Sequence, residues 1–136
     1  MSTIEEAMVA RMAATAAITA LIGSTTSMRL YPLAVPQTAT LPAMAYQKIS
    51  SPKEQSQSGS SHLARSRFQL TLIAETYAGV KALATAVKQC WDAYHGTVSG
   101  VRIDHCSIDN DTDSQIERQA TAVPVVRIDV LVWHYE

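Results

Sequence analysis

The sequence predicts an α+β domain: a mostly antiparallel sheet packed by two helices on one layer, in the order α-β-β-β-α-β-β. Three observations carry this prediction. Phe68, Leu70 and Leu72 alternate with Arg65, Arg67, Gln69 and Thr71. Val126, Ile128, Val130 and Val132 alternate with Arg127, Asp129, Leu131 and Trp133. A period of two marks strands with one face in and one face out. Between these runs, Val80, Leu83, Val87, Trp91 and Tyr94 recur at helical spacing, with Lys81, Lys88 and Asp92 on the other side. The 136 residues suffice to bury a core without metals or disulfides, and no internal repeat divides them. Residues 1–136 therefore read as one domain.

Taken in order, Ser2 to about Ile22 reads as a helix, with Ser2 and Glu5 as a capping box and Gly23 as its stop. Ile4, Met8, Thr15, Ile18 and Ile22 share one face. Ala10, Ala13, Ala17 and Ala20 make the opposite one, smooth enough for solvent or for another element at close range. Met28 to Tyr31 is a short strand ended by Pro32. Pro32, Pro36 and Pro42 exclude regular structure from residues 32–42, and Ala43 to Ser50 forms the second strand. Residues 51–61 are small and polar with nothing to bury, so Ser51, Gln55, Gly59 and Ser61 lie on an extended, mobile hairpin loop. Leu63 to Glu75 is the third strand, and Thr76 caps a helix running to about His95. Gly96 and Gly100 bracket a turn, Val101 to Ile108 is a strand, Asp109 to Gln119 an acidic loop, and Val123 to Tyr135 the last strand. Phe68, Leu70, Leu72, Val87, Trp91, Val126, Ile128 and Val130 are the expected core between sheet and helix.

Charged residues make up only 17%, against a usual share of about 25%. Such a surface is covered by small polar residues or partly hidden against a partner. The net charge of −1 gives no global basic excess to attract nucleic acid. Cys90 and Cys106 lie far from any C-x-x-C spacing and read as reduced, partly buried thiols. The start, Met-Ser-Thr-Ile-Glu-Glu, lacks the basic opening of a signal peptide, and no apolar run approaches the roughly 20 residues that span a bilayer. No membrane partner is expected.

Catalytic and metal motifs are missing from the sequence. Gly96-Thr97-Val98-Ser99-Gly100 places its serine one position too late for a nucleophile elbow. His62, His95, His105 and His134 are dispersed. Asp104-His105-Cys106 on a strand would point to alternating faces, so the three do not converge on a metal. Asp109-Asn110-Asp111-Thr112-Asp113 matches the opening of a calcium loop, but Ser114 stands where glycine is needed and Ala120 where a glutamate is needed. No catalytic, cofactor or metal residue is assigned, and no cofactor is expected. Arg65 and Arg67 share a strand face, suited to phosphate or to cross-strand pairing with Asp129 or Asp104.

Several segments in order resemble a family of small phage tail-completion proteins, the tail-terminator or tail-to-head joining proteins of long-tailed phages, prophages and gene transfer agents. They are Arg29-Leu30-Tyr31-Pro32, Leu41-Pro42-Ala43 leading into Tyr46-Gln47-Lys48-Ile49-Ser50, Arg65-Ser66-Arg67-Phe68-Gln69-Leu70, Tyr77-Ala78-Gly79-Val80-Lys81-Ala82-Leu83, and Val130-Leu131-Val132-Trp133-His134. The resemblance runs from about residue 29 to the end. It implies an α+β fold, a homo-oligomeric six-fold ring, and a place in the virion at the head–tail junction. The implied partners are the tail tube protein, the head-completion or connector protein, and double-stranded DNA passing through the lumen without sequence-specific binding. The family has no catalytic residues to carry over.

Two other classes compete: a small cytoplasmic ligand-binding or regulatory α+β domain, and an enzyme with an unrecognised site. Neither helix is basic, and the titratable residues scatter. A ring subunit should expose apolar strand ends. With the β-branched residues of the last strand facing the core, Leu131, Trp133 and Tyr135 must point the other way. They are expected at subunit contacts with Arg65 and Arg67, unless the N-terminal helix covers them. The arginines would then face Asp109, Asp111 or Asp113 of a neighbour.

Overall fold

A computed structural model describes residues 3–23, 27–56 and 59–135. Helices α1 (Ile4–Ala13) and α2 (Ala16–Ile22) open the chain, followed by β1 (Leu30–Pro32), β2 (Ala43–Ser50), β3 (Lys53–Ser56) and β4 (Gly59–Ile73). Helix α3 (Tyr77–Trp91) leads to β5 (Gly96–Val98), β6 (Val101–Arg118) and β7 (Thr121–Tyr135). The seven strands form one sheet in the order β1-β2-β4-β7-β6-β5, with β3 pairing to β4. Only β1 and β2 run parallel. The α+β class and mostly antiparallel sheet are those the sequence predicts.

The central pair is β4 against β7, in unbroken register from Leu63↔Tyr135 to Ile73↔Val125. Alternation along both strands puts Phe68, Leu70, Leu72, Val126, Ile128, Val130 and Val132 on one face, all without solvent exposure. The helices cover that face with Ile4, Met8, Met12, Ile18, Ile22, Val80, Leu83, Val87 and Trp91 in a single core. All eight residues expected in the core are in it.

Three expectations are corrected. The N-terminal helix is two helices. Thr15 has an extended backbone (φ −95°, ψ 107°), and its hydroxyl, not its N–H, donates to the Arg11 carbonyl at 2.8 Å. A threonine side chain here competes with the helix's own hydrogen bond. Ser2 lies outside the described residues. The cap is Thr3, whose hydroxyl accepts from the Glu6 N–H at 3.2 Å, so the box sits one residue later than Ser2 and Glu5.

The loop at 51–61 contains β3 and the start of β4, paired as Gln55↔Ser60 and Ser56↔Gly59. Backbone bonding needs no apolar side chain, which is why composition did not show it. The acidic stretch Asp109 to Gln119 is likewise strand, continuing β6 to Arg118. Its turn is Gln119-Ala120, both at positive φ (51° and 66°), as a two-residue hairpin turn requires. Asn-Gly is the usual signal there, and this chain lacks it.

Arginines join the elements. Arg11 of α1 donates through Nε and Nη2 to the Cys90 carbonyl at 3.1 and 2.7 Å, in the last turn of α3. Its guanidinium lies 3.4 Å from the Tyr94 ring centroid. A cation on a terminal carbonyl satisfies an orphan acceptor and opposes the helix dipole. Arg29 acts similarly, donating Nη2 to the Leu21 carbonyl of α2 at 3.0 Å and Nε to the Pro42 carbonyl at 2.8 Å. Gly23 ends α2 at φ 90°, where an added Cβ would stand 2.7 Å from the Ser27 carbonyl oxygen.

Two outcomes follow. Phe68→Ala should destabilise folding by about 3–5 kcal/mol, read by urea denaturation. A change within roughly 0.5 kcal/mol would mean the helices cover the other face. Arg11→Met should cost about 1–3 kcal/mol through the lost bonds to Cys90, and an unchanged denaturation midpoint would remove Arg11 as the link between α1 and α3.

Candidate functional site

Among the described residues, no helix lies on the second face of the sheet. At one end the proline-rich segment folds back over it, and Val35 and Leu41 join Ile116 against a small core of Ile73, Val123 and Val125. The rest of that face stays open. Across its centre the register stacks Leu63 with Tyr135, Arg65 with Trp133, Arg67 with Leu131, and Gln69 with Asp129. On the other side of β7, His105 lies beside Trp133 and Ser107 beside Leu131.

Leu131, Trp133 and Tyr135 are therefore neighbours in a half-buried row, directed away from the core. Trp133 has the His105 ring at 5.6 Å, tilted by 41°. The Arg102 guanidinium lies 4.9 Å from the centre of Tyr135. The N-terminal helices pack on the opposite face, so they do not cover this row. Arg65 is exposed at its rim.

Arg67 pairs across the sheet, with Asp109 at 2.6 Å and Asp129 at 3.5 Å. The hydrogen bond that Arg67 donates to Asp109, more than the acid's charge, raises the Arg67 pKa. Of the two expected cross-strand acids, Asp129 is a partner and Asp104 is not. The acids expected to meet a neighbour's arginines have partners within this chain. Asp111 accepts from Lys88 at 2.9 Å, and Asp113 accepts from Tyr77 at 2.6 Å and Lys81 at 3.3 Å. Asp113 is held below the usual carboxylate range, first by the Tyr77 hydroxyl and next by Lys81.

Asp109 thus points to the open face while Asp111 and Asp113 reach α3, across a register shift between Ile108 and Asn110. The calcium-like run is split between two faces. Among the described residues no cluster of His, Cys, Asp or Glu is arranged for a metal.

Ser66 and His134 come together unpredicted. The Ser66 hydroxyl is 2.7 Å from His134 Nε2 and 2.8 Å from the Ser51 hydroxyl. Ser66 is 0% and His134 1% exposed, so no substrate reaches this serine and histidine pair. The contact instead ties Ser51, at the base of the β3–β4 ribbon, to the central strands. Alternation alone would have placed Ser66 and His134 on the core face, because they share its parity. Both thiols are buried, and burial pushes the Cys106 thiol up to about 12.

No helix among the described residues is long and apolar enough to cross a membrane. No curated protein matches the sequence. Among solved structures, a chain from the virion of a native gene transfer agent (GTA) particle superimposes with a TM-score of 0.73. The two are 18% identical, and the match covers 96% of this chain and 94% of that one. At that identity the likeness is one of fold. The family described as tail completion protein gp17 matches residues 6–133, which takes in both faces of the sheet and all three helices save the first two residues of α1. By that match, the chain belongs to the tail completion protein gp17 family.

Proposed function

We propose that this protein is a virion structural subunit that completes the tail at the head–tail junction. Copies close into a six-fold ring that caps the tail tube and joins it to the head connector, and double-stranded DNA passes through the lumen without sequence-specific contacts. Family membership supports a structural role in the tail. The observation that carries the assembly reading is the uncovered row of Leu131, Trp133 and Tyr135, rimmed by Arg65 and Arg67. Apolar side chains in a row on an otherwise polar face gain free energy when a second surface removes them from water. Trp and Arg are also the residue types enriched at interface hot spots.

A closed ring needs a head-to-tail contact, one patch meeting a different patch on the next subunit. Because Arg67 already has Asp109 and Asp129, the unpaired cation offered to a neighbour is Arg65. The chain's small net negative charge fits a ring that lets DNA slide rather than holding it.

The β3–β4 ribbon belongs to this assembly. Its outer part is two-stranded, and an isolated two-stranded ribbon is marginal in water. Gln55, Gly59 and Ser61 are the mobile part in the free subunit, while Ser51 is anchored through Ser66. Ordering comes when the ribbon lies against the tube or a neighbouring subunit.

Two measurements test the proposal. Light scattering with negative-stain images should show a ring with a central hole, and Trp133→Ala should abolish it while the folded monomer loses no more than about 1–2 kcal/mol of stability. Rings that persist in that variant would remove the row from the interface. Backbone amides of Gln55, Gly59 and Ser61 should exchange fast in the monomer and slow on assembly. Slow exchange in the isolated monomer would refute the mobile ribbon.

A further inference from the structure

At the end of the sheet where the β6–β7 turn meets the proline-rich segment lies a cleft of about 480 Å³. Arg118 lines it and is 6% exposed. Its Nη2 donates to the Ala39 carbonyl at 2.6 Å. No carboxylate lies within ion-pair distance of it among the described residues, although Glu75 lines the same cleft. Its other N–H groups have no partner among those residues.

A buried cation is costly unless an anion and further hydrogen bonds offset the desolvation. Here the fork of donors is present, and no carboxylate of the described residues pairs with it. Holding the Ala39 carbonyl would need only a neutral donor, and Gln119 does the equivalent for the Gln37 carbonyl at 2.8 Å. The surroundings also suit a ligand. Thr38 and Thr40 supply hydroxyls at the rim, and Leu41 and Val123 supply an apolar wall.

We propose that this cleft binds one carboxylate, the Asp or Glu side chain of a partner protein's loop, in a two-point contact with the Arg118 guanidinium. Guanidinium and carboxylate match as planar forks, and the apolar wall receives the aliphatic stem. Nucleic acid fits poorly. Its phosphates follow one another every ~1.7 Å along the duplex, whereas the cleft offers a single cation. The site is a property of the folded subunit and does not depend on ring formation.

The test uses the full chain labelled with nitrogen-15, titrated at constant ionic strength with blocked aspartate, blocked asparagine and inorganic phosphate. Blocked aspartate should give saturable shifts at the amides of Ala39, Thr40 and Gln119, and blocked asparagine none. Arg118→Gln should abolish saturation. If that variant fails to fold, Arg118→Lys decides, because a point charge in place of the fork should weaken binding by at least several-fold. Equal shifts from both blocked amino acids, wild-type binding by either variant, or no saturable shift would overturn the site. Tighter binding of phosphate than of aspartate would overturn its assignment to a protein partner.

Discussion

From Leu63↔Tyr135 to Ile73↔Val125, β4 and β7 pair without a bulge, and side chains on both alternate with a period of two. Every other feature hangs on that register. A slip of β4 by one residue would carry Arg65 and Arg67 into the core and put Phe68 and Leu70 in water. In the register observed, the helix-facing side is apolar apart from Ser66 and His134 near its edge, and those two are hydrogen-bonded to each other. The opposite side keeps its charges in solvent, where Arg67, Asp109 and Asp129 pair at modest benefit. Surface ion pairs of this exposure contribute little to stability, so their use here is to settle which side of a long strand is outer.

The same periodicity explains how much of the fold was legible. Phe68 to Leu72 and Val126 to Val132 announce strands because one face is apolar and the other is not. Val80 to Trp91 announces a helix, and Thr76 announces its start, with its hydroxyl accepting from the Gly79 N–H at 3.0 Å. What stayed hidden lacked that contrast. In β6 beyond Ile108, Asp109 to Gln115 are polar on both faces and exposed throughout, so alternation leaves no trace. Backbone hydrogen bonds to β7 hold that segment whatever the side chains are. The break at Thr15 sits inside an alanine-rich run with no glycine or proline, and it depends on Arg11 and Cys90, far apart in sequence.

Internal arginines are the second thing a linear reading misses. Arg11 and Arg29 look like ordinary solvated charges beside small residues, yet each donates to the last carbonyls of a helix. Arg29 also holds the Pro42 carbonyl, so Arg29-Leu30-Tyr31-Pro32 and Leu41-Pro42-Ala43, two of the segments that suggested the family, meet at one guanidinium. Their shared role is architectural: they fix where the proline-rich segment leaves β1 and re-enters the sheet as β2. The row of Leu131, Trp133 and Tyr135 differed in this respect. Its direction could be read by elimination, since four β-branched residues already claimed the core, whereas its cover could be read only from the packing of α1 and α2.

The open face is also unequal along its length, and that inequality bears on assembly. Toward Ile73 and Val125 it is closed by Val35 and Leu41 of the same chain. Toward Leu63 and Tyr135 it runs out into the β3–β4 ribbon with no cover from the helices. Any contact made through this face would centre on the Leu63 and Tyr135 end, which the helices leave uncovered. A two-fold contact through this face would bury Trp133 against its own copy and bring the Arg65 side chains of both subunits into one region, like charge against like. Head-to-tail contact avoids that repulsion, because the row meets a different part of the next subunit. If the subunits close into a ring as proposed, the charge on Arg65 opposes the symmetric alternative, through specificity more than through the area buried.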